Sequence, residues 1–501
     1  MIFRDWLKEL DYTLLQGSVD VETEDVIYDS RKAAPGKVFV AMKGIRVDGH
    51  SFIPQVLKAG VRVLVTERPV EEELKNSGLS EEELKQVTVV MVEEGRHALA
   101  LLSAARFDHP AKKLVMIGVT GTKGKTTTTH MIRAILLAAG KKVGMIGTTG
   151  TVIGDVVTPT LNTTPESYEL HQAFAQMVEA GCEYAVMEVS SQGIKMHRTD
   201  GLYFNYAIFT NISPDHIGPG EHADFEEYLY YKTRLLNMCG IGLVNKDDEH
   251  APQIIKAANC ELYTYSEESK EADFVASDIR YVSQPDFVGT EFHISGKYDM
   301  EVRLGIPGLF NVVNALAAVS VCSFLGLDQA RISHALENIR VNGRMEIVYT
   351  SERCTVLVDY AHNAVSMESL LSTLRDYKPK RLVCVFGCGG NRSKDRRYSM
   401  GEIGGKMADL SIITADNSRY EKVEDIIADI RGSIEKTGGK FIEIPDRREA
   451  IRYSILHAQP GDMVAVIGKG HEDYQEINGV RHHFLDREVI EETVKELGEK
   501  A

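Results

Sequence analysis

The residues with the most evident chemistry lie in one short stretch, Gly121-Thr122-Lys123-Gly124-Lys125-Thr126-Thr127. Its glycines allow backbone amides to converge on a phosphate. A helix beginning there adds positive potential, Lys125 can reach outer phosphates, and the Thr126 hydroxyl can ligate Mg2+. A turn rich in glycine and threonine is the bland alternative, but the stretch sits between an apolar strand and an amphipathic helix, where nucleotide binding is expected. The strict GxxxxGK[ST] spacing fails, because Val119 occupies the place of the first glycine. Further on, Glu188 and His216 each follow an apolar run, at the strand ends where open α/β sheets bind ligands. A carboxylate there suits a hard cation such as Mg2+. Lys232 falls in EEYLYYKTRLL, a helical pattern on which an isolated lysine is ordinarily a solvated surface residue. Asn311 and Asn314 are three apart at the start of another helical pattern, hence on one face.

These residues need a scaffold of strands and helices, and the sequence supplies it. Strand-like apolar runs alternate with amphipathic helices nearly throughout, the pattern of α/β layers around mainly parallel sheets. Strands are expected at 113–121, 184–189, 206–210, 242–245, 355–358, 381–386, 410–414 and 463–467, with a helix at 126–140. A polar turn at 110–112 and the Val341-Asn342-Gly343 turn divide the chain into segments 1–111, 112–341 and 342–501. No internal repeat or low-complexity tract interrupts them.

Composition narrows the partners. The chain has 501 residues, with Lys+Arg 57 against Asp+Glu 73, a formal charge of −16. Such a balance disfavours a nucleic-acid backbone or an anionic membrane as partner, while a local nest of amides can still bind a small anion. No apolar run reaches the roughly 18–20 residues needed to span a bilayer. The opening MIFRDWLKEL reads as a charged amphipathic start rather than a secretory signal. Seven scattered cysteines (182, 239, 260, 322, 354, 384 and 388) include no CxxC pair, which points to reduced thiols in the cytoplasm.

The variant loop has company. It is followed in order by Glu188-Val189-Ser190-Ser191, Asp215-His216, Asn311-Val312-Val313-Asn314, Asp359-Tyr360-Ala361-His362 and Gly468-Lys469-Gly470-His471-Glu472. This series resembles the Mur ligases, and among them the UDP-N-acetylmuramoyl-tripeptide synthetase type, from Asp29-Ser30-Arg31 to Phe484-Leu485-Asp486-Arg487. The resemblance implies three α/β domains: a UDP-binding N-terminal domain, a central P-loop ATPase domain and a Rossmann-like C-terminal domain. It implies ATP, two Mg2+ sites and a soluble, monomeric enzyme acting on small molecules. The implied reaction joins meso-diaminopimelate to UDP-N-acetylmuramoyl-L-alanyl-D-glutamate through an acyl phosphate.

By the same resemblance, Lys125, Glu188, His216 and Lys232 are catalytic, and Thr126, Glu188, His216 and Lys232 hold metal, Lys232 as a carbamate (N6-carboxylysine). The stretch from Asp215 to Lys232 is two residues longer than the family spacing, with Gly218-Pro219-Gly220 at the insertion and Tyr228 securing the register. ATP would meet Gly121 to Thr127, Asn311, Asn314, Arg344, Asp359 and His362. The UDP-substrate would meet Ser30, Asn162, Thr163, Thr164, Ser190 and Arg198. The amino acid would meet Arg392, Asp416, Asn417, Ser418, Arg419, Gly468 and Glu472. Arg419 would grip the distal carboxylate of diaminopimelate, which lysine lacks. The chain departs from the family at Gln192 (histidine), Met196 (glutamine), Asn391 (aspartate) and Ser418 (proline). The alternatives are a ligase using L-lysine or another diamino acid, a folylpolyglutamate-synthase-like relative, and a P-loop regulatory protein that binds ATP without ligating. The Asp29-Ser30-Arg31 domain and the set of Lys125, Glu188, His216 and Lys232 weigh against the last two.

Overall fold

The computed structural model describes residues 1–501 apart from Ile45, Arg46, His216 and the last three, 499–501. The metal-ligand expectation for His216 therefore lies outside the described residues. The chain packs as two compact units, Met1–Tyr265 and Ser266–Ala501.

The first unit contains two sheets. The smaller has strands β1 (Thr13–Gln16), β2 (Asp25–Ile27), β3 (Lys37–Val40), β4 (Val63–Thr66) and β5 (Thr88–Met91), in the order β1-β5-β4-β3-β2. All its pairs are parallel except β1 with β5. Side-chain alternation along β3 sends Val38 and Val40 into one apolar cluster and Phe39 into another, so both faces are covered. None of these five strands was among those expected from the sequence; two-sided burial makes β4 (VLVT) a continuous apolar run, whereas β1 (TLLQ) is largely exposed and β2 is only three residues long.

The larger sheet of this unit contains β6 (Val115–Thr120), β7 (Val143–Gly147), β8 (Gly150–Ile153), β9 (Val156–Thr158), β10 (Tyr184–Glu188), β11 (Phe204–Phe209), β12 (Cys239–Asn245) and β13 (Glu261–Ser266). Their order is β13-β12-β11-β6-β10-β7-β8-β9. From β13 to β7 every pair is parallel, and β7, β8 and β9 form an antiparallel meander. The register pairs Glu188 with Val119 and Phe209 with Thr120. Three strand ends thus converge on the glycine-rich turn after β6. Met116, Phe174, Met187, Phe204 and Phe209 are buried together beneath them, each large side chain contributing roughly 1.5–3 kcal/mol of transfer free energy.

The second unit opens with an antiparallel meander that the apolar pattern does not announce: β14 (Phe274–Gln284), β15 (Phe287–Gly296) and β16 (Met300–Leu304). The helix Leu309–Phe324 follows. A second doubly wound sheet contains β17 (Glu346–Thr350), β18 (Cys354–Asp359), β19 (Arg381–Phe386), β20 (Leu410–Ile413), β21 (Phe441–Glu443) and β22 (Asp462–Ile467). Its order, β17-β18-β22-β19-β20-β21, is parallel except for β17. The hairpin β23 (Tyr474–Ile477) and β24 (Val480–His483) forms a separate two-stranded sheet. Among the described residues, no helix is long and apolar enough to cross a membrane.

Candidate active site

After Thr120 the chain turns through Gly121 (φ 144°) and Gly124 (φ 85°) before Lys125 opens the helix Lys125–Ala138. A Cβ on Gly121 would lie 1.9 Å from Thr210 Oγ1, so only glycine fits this close approach of β6 to the end of β11. The turn is pinned there. Thr122 N donates to Asn211 O at 2.9 Å, and Lys123 N to Asn211 Oδ1 at 2.9 Å. Lys125 folds back over the loop, its Nζ donating to the carbonyls of Gly121 (2.8 Å) and Thr122 (3.1 Å).

Glu188 ends β10 with only 1% of its surface exposed. Thr126 Oγ1 donates toward both of its carboxylate oxygens at 3.0 Å, and Thr148 holds it through its backbone N–H (2.9 Å) and hydroxyl (3.2 Å). A Cβ on Gly147 would come within 2.3 Å of Glu188 Oε1, which explains a glycine at the end of β7.

Lys232 is no surface lysine. It lies in the helix Phe225–Thr233 with 2% of its surface exposed. Its Nζ donates to Gly121 O at 2.8 Å and lies 4.7 Å from the centre of the Tyr228 ring. The Tyr228 hydroxyl in turn meets Thr122 Oγ1 at 3.1 Å. Burial first, and then the charge of Lys125, push the Lys232 ammonium well below its usual range, while Asp215 opposes the shift. The two lysines thus share one carbonyl, that of Gly121.

Beside this turn, Thr164 Oγ1 donates to Glu188 O (3.0 Å) and accepts from Ser190 N (2.9 Å). Ser190 caps the short helix Ser191–Lys195, its hydroxyl accepting from Gly193 N at 3.0 Å. Thr163 meets Thr148 hydroxyl to hydroxyl at 3.1 Å, and Asn162 is exposed. Arg198 donates to Thr164 O at 3.0 Å and pairs with Glu166 at 2.6 Å, and Glu166 also pairs with Arg96 at 3.2 Å. Farther off, Ser30 begins a short turn capped by Asp29, which accepts from Arg31 N at 3.0 Å. A neighbouring cavity of about 180 Å3 is lined by Asp25, Tyr28, Lys32, Lys37 and Tyr168 among others. Ser30 does not line it.

His97, His197 and Asp200 form the one set of histidine and acidic groups, among the described residues, close enough to hold a cation. Asp200 Oδ2 lies 2.6 Å from His97 Nδ1 and 2.8 Å from His197 Nδ1. Those are hydrogen-bond lengths, whereas nitrogen and oxygen ligands placed tetrahedrally at about 2.0–2.1 Å from a zinc ion stand roughly 3.3 Å apart. The set is a clasp between the helix Gly95–Arg106 and the chain after Ser190.

In the second unit, Asn311 and Asn314 are buried in the first turns of the helix Leu309–Phe324. Asn311 Nδ2 donates to Pro307 O (2.7 Å) and Asn314 Nδ2 to Asn311 Oδ1 (3.2 Å). Arg344, Asp359 and His362 gather around Tyr360. The Arg344 guanidinium lies 4.9 Å from the Tyr360 ring centre and the His362 ring 4.8 Å. Asp359 accepts backbone N–H bonds from Met345 and Ala361, both at 2.8 Å. Burial raises its pKa, with those bonds and Arg344 opposing.

The expected amino-acid residues meet in the loops beyond β20 and β22. A Cβ on Gly468 would lie 3.0 Å from Asp416 Oδ2, and Asn417 Nδ2 donates to Glu472 Oε2 at 2.9 Å. Ser418 is buried, and Arg419 adopts a left-handed backbone (φ 51°). Its Nη1 donates to Gly390 O at 2.8 Å and its Nε lies 3.4 Å from Glu476. Arg392 is exposed on the adjoining glycine-rich loop. Thr148, Asn211, Glu166, Lys469 and Glu476 were not foreseen. Lys469 alone had a signal, since it lies inside the Gly468–Glu472 motif.

Three family models cover most of the chain. The Mur ligase family, catalytic domain, matches residues 23–107, the Mur ligase middle domain 119–322, and the Mur ligase, glutamate ligase domain, 343–470. The chain is 39% identical to a UDP-N-acetylmuramoyl-L-alanyl-D-glutamate--2,6-diaminopimelate ligase of Caldanaerobacter subterraneus, over 98% of each chain. It is 38% identical to the protein of that name from Geobacillus thermodenitrificans, over 93% of this chain and 94% of the other. A solved structure of a ligase of that name superposes with a TM-score of 0.72 at 30% identity, over 95% of this chain and 96% of the other. The expected three-domain α/β architecture is that of these relatives, and this chain belongs to the Mur ligase family.

Proposed function

We propose that this chain is an ATP-dependent, ADP-forming ligase that joins meso-diaminopimelate to UDP-N-acetylmuramoyl-L-alanyl-D-glutamate in the cytoplasm. Its domains are taken as 1–111, 112–341 and 342–501. The observation that carries the reading is the convergence of Lys125, Lys232, Thr126 and Glu188 on the Gly121 turn. In the first step the substrate carboxylate attacks the γ-phosphorus, a P–O bond forms, and the bond to ADP breaks. In the second, the amine attacks the acyl carbon, loses a proton, and inorganic phosphate leaves. Such chemistry depends on positioning and charge neutralisation more than on a protein nucleophile.

Lys125 and the amides of the Gly121 turn supply fixed positive charge for the phosphates. Arg198 and the Thr164–Ser190 pair orient the muramoyl-dipeptide. Asn311, Asn314, Arg344, Asp359 and His362 serve the nucleoside, and Ser30 the UDP portion. Thr126 and Glu188 are oxygen donors of the kind Mg2+ selects, and bound Mg2+ would neutralise phosphate charge. The depressed pKa of Lys232 favours the free amine, the form that adds to CO2: an N–C bond forms, one proton leaves the nitrogen, and the neutral amine becomes an anionic carbamate whose oxygens would hold a second Mg2+. Arg419 pairs with the distal carboxylate of diaminopimelate, and Glu472 accepts from its ammonium.

The test is phosphate release in the presence of both UDP-muramoyl-dipeptide and amino acid, with mass spectrometry of the product from a mixture of diaminopimelate, lysine and ornithine. Release that needs both substrates, with diaminopimelate incorporated, supports the reading. ATP turnover stimulated only by a protein partner overturns it.

A further inference from the structure

One buried charge in the second unit has no part in the scheme above. Lys469 follows Gly468, and its side chain is 0% exposed. A lysine cation is seldom carried into an interior without compensating anions and acceptors, and here they are specific. Its Nζ lies 3.2 Å from Asn417 Oδ1, 3.4 Å from Glu472 Oε2 and 3.9 Å from Asp416 Oδ1. The Tyr474 ring centre is 5.3 Å away.

The three polar partners come from two separate loops. Asp416 and Asn417 lie beyond β20, whereas Glu472 lies beyond β22. Asn417 joins them as well, donating from Nδ2 to the same Glu472 oxygen (2.9 Å) and accepting at Oδ1 from Glu476 N (2.9 Å). Oε2 of Glu472 therefore receives both Asn417 and Lys469. With its direction so constrained, the other oxygen of that carboxylate is presented in one orientation, which is the preorganisation that a site for a cationic group needs.

We infer that Lys469 is a positioning residue for the amino-acid site, fixing Glu472 and Asn417 so that the distal ammonium of the incoming diamino acid finds an oriented carboxylate. The inference rests on the proposed placement of Glu472 in that site. Lys469 touches no reacting atom in this scheme. Its influence is on the affinity for the diamino acid, not on phosphoryl transfer.

The test is steady-state kinetics of the full-length enzyme and the variants Lys469→Met, Lys469→Arg, Glu472→Gln and Lys469→Met/Glu472→Gln, varying diaminopimelate, ATP and UDP-muramoyl-dipeptide in turn. For Lys469→Met, KM for diaminopimelate should rise at least tenfold, with kcat and the other two KM values within about threefold of wild type. Lys469→Arg keeps the charge and should recover part of the loss. The double variant should be no worse than Glu472→Gln, because Lys469 acts through Glu472. A diaminopimelate KM within twofold of wild type, or a parallel rise in all three KM values, overturns the inference. So does a double variant whose losses simply add. If Lys469→Met does not fold by circular dichroism, the split between KM values in Lys469→Arg decides. A wild type that does not ligate diaminopimelate at all refutes the underlying functional reading instead.

Discussion

Replacing Arg419 with alanine should change which amino acid is used. Diaminopimelate differs from lysine by one carboxylate, so only a cation at that end rewards it differentially. In a closed site, truncating one partner of such a charge pair costs about 2–5 kcal/mol. The guanidinium here is already engaged: Nη1 bonds Gly390 O at 2.8 Å, and Nε lies 3.4 Å from Glu476. An incoming carboxylate must share it with Glu476, which places the loss near the lower end, about 2 kcal/mol or roughly 30-fold in kcat/KM. Arg419→Ala should show that loss for diaminopimelate, a much smaller change for lysine, and unaltered KM for ATP. Glu476→Gln should raise kcat/KM for diaminopimelate a few-fold by removing the competitor. The assay is product formation with each amino acid at saturating ATP and UDP-substrate. A wild type that prefers lysine, or a diaminopimelate-to-lysine ratio unchanged in Arg419→Ala, refutes the reasoning. Should Glu476→Gln lose as much as Arg419→Ala, Glu476 aims the guanidinium instead of competing for the carboxylate.

Lys125→Ala should lower kcat by about 100-fold or more, the scale of removing one preorganised charge from a transferring group; near-wild-type turnover would remove the phosphate-loop assignment. Lys232→Ala should cripple ligation and be partly rescued by short carboxylates, and intact-mass analysis of active, Mg2+-saturated enzyme showing only unmodified Lys232 counts against the carbamate. The His197 clasp should also be visible in thermal melts. Its hydrogen bond to Asp200 raises the His197 pKa above the ordinary 6.5. That contribution is complete below about pH 6.5 and is lost as pH rises through the raised value. The Asp200 pKa falls below 3.8 through its two histidines, against the opposing effect of burial, so its contribution is lost only as pH drops through the lowered value. Tm should accordingly decline from about pH 6 to 8, and less so in His197→Ala; equal slopes would show that the clasp does not titrate there.

The local features of this chain were legible because local physics dictates them. A turn that must bring amides to a phosphate requires glycine, and Gly121 (φ 144°) and Gly124 (φ 85°) both take the positive φ that glycine allows. Strands buried on both faces must be continuously apolar, so β6, β10, β11, β19 and β22 could be read to within two residues at either end. The meander of β14 to β16 was missed because its half-exposed strands carry polar and charged residues such as Asp278, Arg280 and Glu291, which dilute the apolar signal.

What tertiary structure alone decided are the states of side chains whose partners are distant in sequence. Lys232 bonds a carbonyl 111 residues away, and in isolation its helix gives no hint that it is buried. Glu188 is held by Thr126 and Thr148 from two other segments, Arg198 is paired with Glu166, and Lys469 is enclosed by a loop more than fifty residues before it. Burial and pairing set whether a charge is stable, where it points and how it titrates. Those quantities depend on which segments the fold brings together, and a residue's type and spacing do not encode them.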